Sequence, residues 1–354
     1  MDVATITNIV SETPDSVAVT LEVPDDQMHR YRYRQGQNIA LIKEIDGEEV
    51  RRSYSICSSV ADDRLRVGIK RVENGKFSTW ATTQLKVGDE VGILPPSGSF
   101  YVELQPEHAR EHLGIAAGSG ITPILSILKT TLETEPKSTF TLIYGNRTTE
   151  SVMFLEELAD LKDTYVERFR VFHVLSREIQ NAELLTGRIT GETLDGFFES
   201  LLDPASIDEV FLCGPYEMVS DLQAKLTNAG VEPASVHTEL FGVPTELASV
   251  NAPSPDGANV AGSTVQVILD GTATEITIEP GDESILDAAL KIRKDLPFAC
   301  KGGVCASCKA KVTQGSVEMR INYALSDDEV ADGFVLTCQS HATSSDAVVD
   351  YDQR

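Results

Sequence analysis

Four cysteines near the end of the chain limit most strongly what it can fold into. Cys300, Cys305 and Cys308 are spaced C-x4-C-x2-C, and Cys338 follows after 29 intervening residues. Three thiolates on one short loop and a fourth from a separate segment is the spacing of plant-type [2Fe–2S] ligation. Such a loop must fold tightly around the bound group, and Gly302, Gly303, Ala306 and Ser307 supply small residues for this. Their peptide N–H groups can point at the sulfides and help carry negative charge. Two other readings stand beside this one. A zinc knot favours two close cysteine pairs over a three-plus-one pattern. A redox dithiol made of Cys305 and Cys308 leaves Cys300 and Cys338 without a role. The fourth thiolate is expected on a strand, Phe334–Cys338, while Cys57 and Cys213 fall outside the pattern.

A chain of 354 residues suggests two or three domains. Residues 1–106 read as all-β. Short runs such as Ser16–Val23, Gln37–Lys43, Arg64–Arg71 and Glu90–Leu94 alternate with turn residues, which predicts a small antiparallel barrel. Residues 107–242 alternate strand and helix, from His112–Ala117 through Thr139–Tyr144, Arg170–Leu175 and Val210–Cys213. That pattern predicts a doubly wound parallel α/β sheet. Ser151 is expected to cap the helix carrying Phe154, Leu155, Leu158 and Leu161, and Gly230 to stop the last one. Residues 243–263, rich in Pro, Ser, Ala, Asn and Gly, read as a linker. Residues 264–354 form a third module, an α+β ferredoxin-like unit with strands Thr264–Leu269 and Thr274–Ile278, a helix at Ser284–Arg293 and the cysteine loop.

The net charge of −25 disfavours nucleic acid and anionic membranes as partners. An acidic surface suits docking on a basic partner protein, and equally suits solubility or a salty habitat. No segment approaches the roughly 20 apolar residues of a membrane span. The N-terminal residues lack the pattern of a signal peptide, so a cytoplasmic protein is expected.

Two stretches in the barrel carry cofactor chemistry. Arg52-Ser53-Tyr54-Ser55 ends a strand and offers a guanidinium fork for a pyrophosphate, a flat ring for a flavin, and a hydroxyl. Gly75-Lys76-Phe77-Ser78-Thr79-Trp80 lies downstream. In the α/β half, Gly118-Ser119-Gly120-Ile121-Thr122-Pro123 joins a strand to a helix, where glycines let a pyrophosphate approach free N–H groups. Pro123 suits the first turn of that helix. Cys213-Gly214-Pro215 follows a later strand, and Glu239 and Phe241 precede the linker.

Taken in order, R-x-Y-S, G-x-x-S, G-x-G-x-x-P and C-G-P resemble the ferredoxin–NADP reductase superfamily. The resemblance implies FAD held by Arg52, Tyr54, Ser55 and the loop Gly75, Lys76, Phe77, Ser78 and Thr79. It implies a nicotinamide nucleotide on Gly118, Gly120, Thr122, Pro123, Cys213, Gly214 and Pro215. Ser55, Cys213 and Glu239 would form the hydride-transfer pocket, with Phe241 flanking the flavin. Arg147, Ser176 and Arg177 end two strands where members that use NADPH contact its 2′-phosphate, so NADPH is expected. A barrel, a nucleotide domain and a C-terminal ferredoxin, in that order, look like the reductase components of bacterial oxygenases. Ile115–Pro123, Phe140–Thr148, Asp282–Leu290, Asp295–Val312 and Phe334–Gln339 are similar to the reductase subunits of phenylacetyl-CoA epoxidases. That similarity implies a di-iron oxygenase as partner. A ring-hydroxylating dioxygenase, a soluble monooxygenase, or a free-standing electron carrier remain open alternatives.

Overall fold

Alternation of apolar residues along the first strands folds them around a common interior. The computed structural model describes residues 2–62, 64–241 and 262–353. Its first six strands are β1 (Asp2–Thr13), β2 (Ser16–Glu22), β3 (Asn38–Ile45), β4 (Glu48–Ser55), β5 (Leu65–Lys70) and β6 (Glu90–Ile93). They form one antiparallel sheet in the order β4-β3-β6-β1-β2-β5. A bridge between Ile56 and Val67 joins the end of β4 to β5 and closes the sheet into a barrel. Ile6, Val19, Ile39, Leu41, Val67 and Ile93 fill it. The G-x-x-S stretch read as a loop is instead the start of a helix, α1 (Lys76–Thr83). Phe77 and Ala81, one turn apart, bury against the barrel core, and this burial holds so short a helix.

The second module contains β7 (Glu111–Ala117), α2 (Ile121–Thr134), β8 (Thr139–Asn146), α3 (Leu155–Thr164), β9 (Phe169–Leu175), α4 (Gly191–Ser200), β10 (Glu209–Gly214), α5 (Tyr216–Asn228) and β11 (Val236–Leu240). Its parallel sheet has the order β11-β10-β7-β8-β9. The connections leave β7 one way and β10 the other, so the carboxyl ends of these neighbours mark the switch point where ligands bind in such sheets. Helix α2 is buried from Ile121 to Leu132 because the sheet covers one side and the barrel the other. Ser151 does not cap α3. It completes a capping box with Thr148 on a separate 3₁₀ turn, and Phe154, at φ 58°, opens α3. Gly230 stops α5 in the left-handed conformation expected of it, φ 91°.

A half-buried charge network sets the barrel on the nucleotide sheet. Arg66 reaches Glu157 at 2.6 Å and Glu12 at 3.1 Å, and Lys129 reaches Asp62 at 2.8 Å and Glu157 at 3.1 Å. Glu12 also accepts from the Phe154 amide at 3.0 Å.

The third module has β12 (Thr264–Leu269), β13 (Thr272–Thr277), α6 (Ile285–Leu290), β14 (Lys309–Gln314), β15 (Val317–Met319), α7 (Asp327–Ala331), β16 (Phe334–Leu336), β17 (Ser340–Ala342) and β18 (Asp346–Asp350). The order β13-β12-β18-β14-β16 places a parallel pair, β12 and β18, at the centre. The expected strand Phe334–Cys338 ends at Leu336, and a 3₁₀ turn, Thr337–Gln339, carries Cys338. The expected linker 243–263 lies outside the described residues except for its last two. Those belong to the third module: Gly262 bonds Ile278, and Ser263 is buried with its hydroxyl on Ser344. No helix among the described residues is long and apolar enough to cross a membrane.

Candidate functional site

The cysteine loop turns back on itself through three left-handed residues: Lys301 at φ 52°, Gly303 at φ 74° and Ala306 at φ 53°. Glycine is required at 303, where a Cβ would stand 3.1 Å from the Ile321 carbonyl. The turning aims amides at sulfur: Gly302 N–H donates to Cys300 Sγ at 3.3 Å. The four thiols fall into two pairs, Cys300 with Cys305 and Cys308 with Cys338. The Cys305 thiol and the amides of Gly302 and Val304 lower the Cys300 thiol against burial, while Cys300 and burial raise Cys305 in turn. No group of three ligands for a single ion occurs among the described residues. Two thiol pairs suit a two-iron cluster, and the Ser307 hydroxyl and amide in the same loop are directed at Cys305. Cys57 is a core thiol, pushed up to about 12 by burial.

On the barrel, Arg52 is exposed, donates to the Arg51 carbonyl at 2.6 Å, and forms no ion pair among the described residues. Tyr54 packs its ring 5.5 Å from Phe77, tilted by 43°. The opening N–H groups of α1, those of Lys76 and Phe77, have no carbonyl partner within the helix. Gly75 precedes them. Ser78 has a different part from the one expected: its buried hydroxyl takes the Val72 amide at 3.1 Å and gives to the Gly75 carbonyl at 3.4 Å, so it ties the turn. The Phe77 ring lies in the barrel core, and Lys76 pairs with Glu48. A guanidinium, two free amides, the exposed Thr79 and a flat ring remain, and this donor set fits a flavin dinucleotide.

Ser55, Cys213 and Glu239 meet where β4 abuts the carboxyl ends of β10 and β11. Cys213 and Glu239 are cross-strand neighbours, and Ser55 Oγ donates to Glu239 Oε2 at 3.1 Å. Burial raises Glu239 to about 7 against the opposing bond from Ser55. Burial also raises the Cys213 thiol, with the Glu239 charge adding to it.

A cleft of about 830 Å³ opens beside them at the switch point. Gly118, Gly214, Pro215 and Phe241 line its end next to Cys213, and Arg147, Ser176 and Arg177 line it along the ends of β8 and β9. Arg177 N–H bonds the Arg147 carbonyl at 2.8 Å, which sets the two arginines side by side. Neither forms an ion pair among the described residues. Glu178 turns to Thr149, whose amide and hydroxyl it accepts. Gly120 is packed under the cleft, while Thr122 and Pro123 are buried at the start of α2 and do not reach it. Lys70, Arg71 and Arg188 also line the cleft. Sequence reading missed them because isolated cations at strand and turn ends carry no period or motif.

Comparison with known proteins agrees with this layout. Residues 3–101 match the oxidoreductase FAD-binding domain, 115–224 the oxidoreductase NAD-binding domain, and 267–343 the 2Fe-2S iron-sulfur cluster binding domain. The fold and the site thus define an oxidoreductase that uses FAD, a nicotinamide nucleotide and a [2Fe–2S] cluster. The chain is 45% identical over 352 residues, 99% of its length and 97% of the relative's, to a subunit of the 1,2-phenylacetyl-CoA epoxidase of Escherichia coli K12. It is 32% identical to the ferredoxin reductase component of 3-ketosteroid-9-alpha-monooxygenase from Rhodococcus rhodochrous, with 99% of this chain and 96% of that one covered. Phthalate dioxygenase reductase has the same fold, with a TM-score of 0.58 at 23% identity over 98% of this chain and 97% of that one. The chain belongs to the family of ferredoxin–NADP reductase-type flavoproteins that carry a C-terminal plant-type [2Fe–2S] domain.

Proposed function

We propose that this chain is the NADPH-dependent reductase of a phenylacetyl-CoA epoxidase, passing electrons to a di-iron oxygenase component. The observation that carries the electron path is the packing of the cysteine loop, through Ala299 and Cys305, on Ala40, Ile42 and Leu94 of the barrel. FAD, when bound, would supply the exchange between the two-electron chemistry of NADPH and the one-electron chemistry of a [2Fe–2S] cluster. Arg52, the amides that open α1, and Thr79 hold the pyrophosphate, and Tyr54 flanks the ring. Ser55 and Cys213 order the nicotinamide, while Glu239 holds or releases a proton near neutral pH. Arg147, Ser176 and Arg177 read the 2′-phosphate. Cys300, Cys305, Cys308 and Cys338 hold the cluster. The full-length similarity to the Escherichia coli protein supports the choice of partner, and the supply of NADPH points to the cytoplasm.

Reconstitution tests this reading. The purified chain is mixed with NADPH and the catalytic subunits of a phenylacetyl-CoA epoxidase. Substrate-dependent NADPH oxidation with product formation is expected. Support of a 3-ketosteroid monooxygenase instead, with none for the epoxidase, would move the chain to the second relative's role.

A further inference from the structure

Alternation along β4 turns Arg52 and Tyr54 to one face of the strand and Arg51 and Ser53 to the other. The third module covers this second face. Arg51 is nearly enclosed, with 10% of its side chain exposed. Its guanidinium donates to the carbonyls of Leu296 at 3.4 Å and Lys294 at 3.3 Å, and to Glu49 at 2.8 Å. The same group lies 4.4 Å from the centre of the Phe298 ring. Every contact to the third module falls on the segment just before Cys300. Asn38, on the neighbouring strand β3, is buried. Its Oδ1 accepts from Ser53 Oγ at 2.5 Å, and its Nδ2 donates to the Cys305 carbonyl at 3.4 Å. The barrel thus holds the cysteine loop on both sides, with Ala40, Ile42 and Leu94 filling the space against Ala299 and Cys305.

We propose that Arg51 and Asn38 are positioning residues for electron transfer: they clamp the Cys300–Cys305 side of the cluster site onto the strands bearing the flavin motif, and electrons enter the cluster from that side. The inference rests on the proposed path from flavin to cluster. The step served moves one electron. The reduced flavin is oxidised by one, the cluster is reduced by one, and no bond in the protein breaks. Tunnelling falls steeply with distance, so a loop free to lift from the barrel would transfer slowly. The Cys308–Cys338 side faces inward, where Thr337 bonds both the Cys308 carbonyl at 3.0 Å and the Tyr351 hydroxyl at 2.7 Å. Arginine suits the clamp because one planar group both stacks on Phe298 and forks to two carbonyls, which an ammonium cannot do.

The test uses the full-length holoprotein and its Arg51→Ala and Arg51→Lys variants. Stopped-flow absorbance follows cluster reduction after mixing with NADPH, ferricyanide reduction reports on the flavin alone, and hydrogen exchange reports on residues 294–305. Loss of the clamp should slow cluster reduction by about tenfold in Arg51→Ala and less in Arg51→Lys. Ferricyanide reduction should stay within about twofold, and exchange across 294–305 should rise. Unchanged cluster reduction with unchanged exchange overturns the clamp, as does an equal loss of ferricyanide reduction. A wild-type cluster that NADPH does not reduce overturns the underlying path itself, and is read without any variant.

Discussion

The hydroxyl of Ser55 donates to the carboxyl of Glu239 at 3.1 Å, from the last residue of a barrel strand to a strand of the nucleotide sheet. This bond joins the two modules at the point where the proposed hydride transfer takes place. It also competes with burial over the charge of Glu239, and burial prevails, holding the group at about 7.

Glu239 should therefore weaken the fold as pH rises. Its folded value lies above the ordinary 4.5, so the folded state keeps a proton that the unfolded state has lost. The cost is absent below about 4.5, grows to about 7, and is constant above that. Thermal unfolding of wild type and Glu239→Gln across this range should coincide in acid. Above neutrality the variant should be more stable by roughly 1–3 kcal/mol. Ser55→Ala, which removes the bond that favours the charged form, should move the upper end of the wild-type change to higher pH.

Gly120→Ala should destabilise the nucleotide domain. The added Cβ would lie 2.2 Å from the Cys213 carbonyl oxygen, and backbone cannot yield as a side-chain tip can. A loss of roughly 1–3 kcal/mol in urea unfolding is expected. Because the clash pushes on β10 beside Cys213, KM for the nucleotide should rise as well.

Arg177→Ala should weaken NADPH far more than NADH. Only NADPH carries the phosphate that a charge-assisted bond would hold, a contact worth about 1.5–3 kcal/mol. Steady-state kinetics with both nucleotides should show KM for NADPH raised by roughly 10- to 100-fold and KM for NADH nearly unchanged. Equal losses would mean that Arg177 does not read the phosphate.

Cys305→Ser should remove iron and acid-labile sulfide while FAD stays bound. Arg52 and Tyr54, proposed to hold FAD, belong to the barrel, whose core is separate from that of the third module. Metal analysis and the flavin absorbance band measure the two groups independently. Loss of flavin along with iron would show that the modules do not fold separately.

Local patterns made much of this legible. The C-x4-C-x2-C loop, the periodicity within each strand and helix, and each single motif depend on residues a few positions apart, whose geometry the backbone sets. Reading failed where a motif and an element compete for the same residues. Gly75 to Thr79 reads as a phosphate loop, yet Phe77 and Ala81 find the barrel core and turn it into helix α1, leaving Ser78 to tie the turn. Ser151 reads as a helix cap, yet its partner is Thr148 and the helix starts later, at Leu155. Thr122 and Pro123 belong to the same motif as Gly118, but the helix they begin carries them into the interior.

The sequence by itself pointed to the modules, their cofactors and the cysteine loop, because strand and helix periods and the C-x4-C-x2-C spacing are local patterns. The tertiary structure decided which residues act together. Ser55 and Glu239 are 184 positions apart, and Asn38 and Cys305 are 267 apart. No spacing links such pairs. They meet because the half-buried charges of Arg66, Glu157 and Lys129 fix the barrel on the sheet, and because Arg51 and its apolar neighbours seat the cysteine loop on the barrel. Contacts between separately folded surfaces depend on the packing of both, and that packing exists only once each has folded.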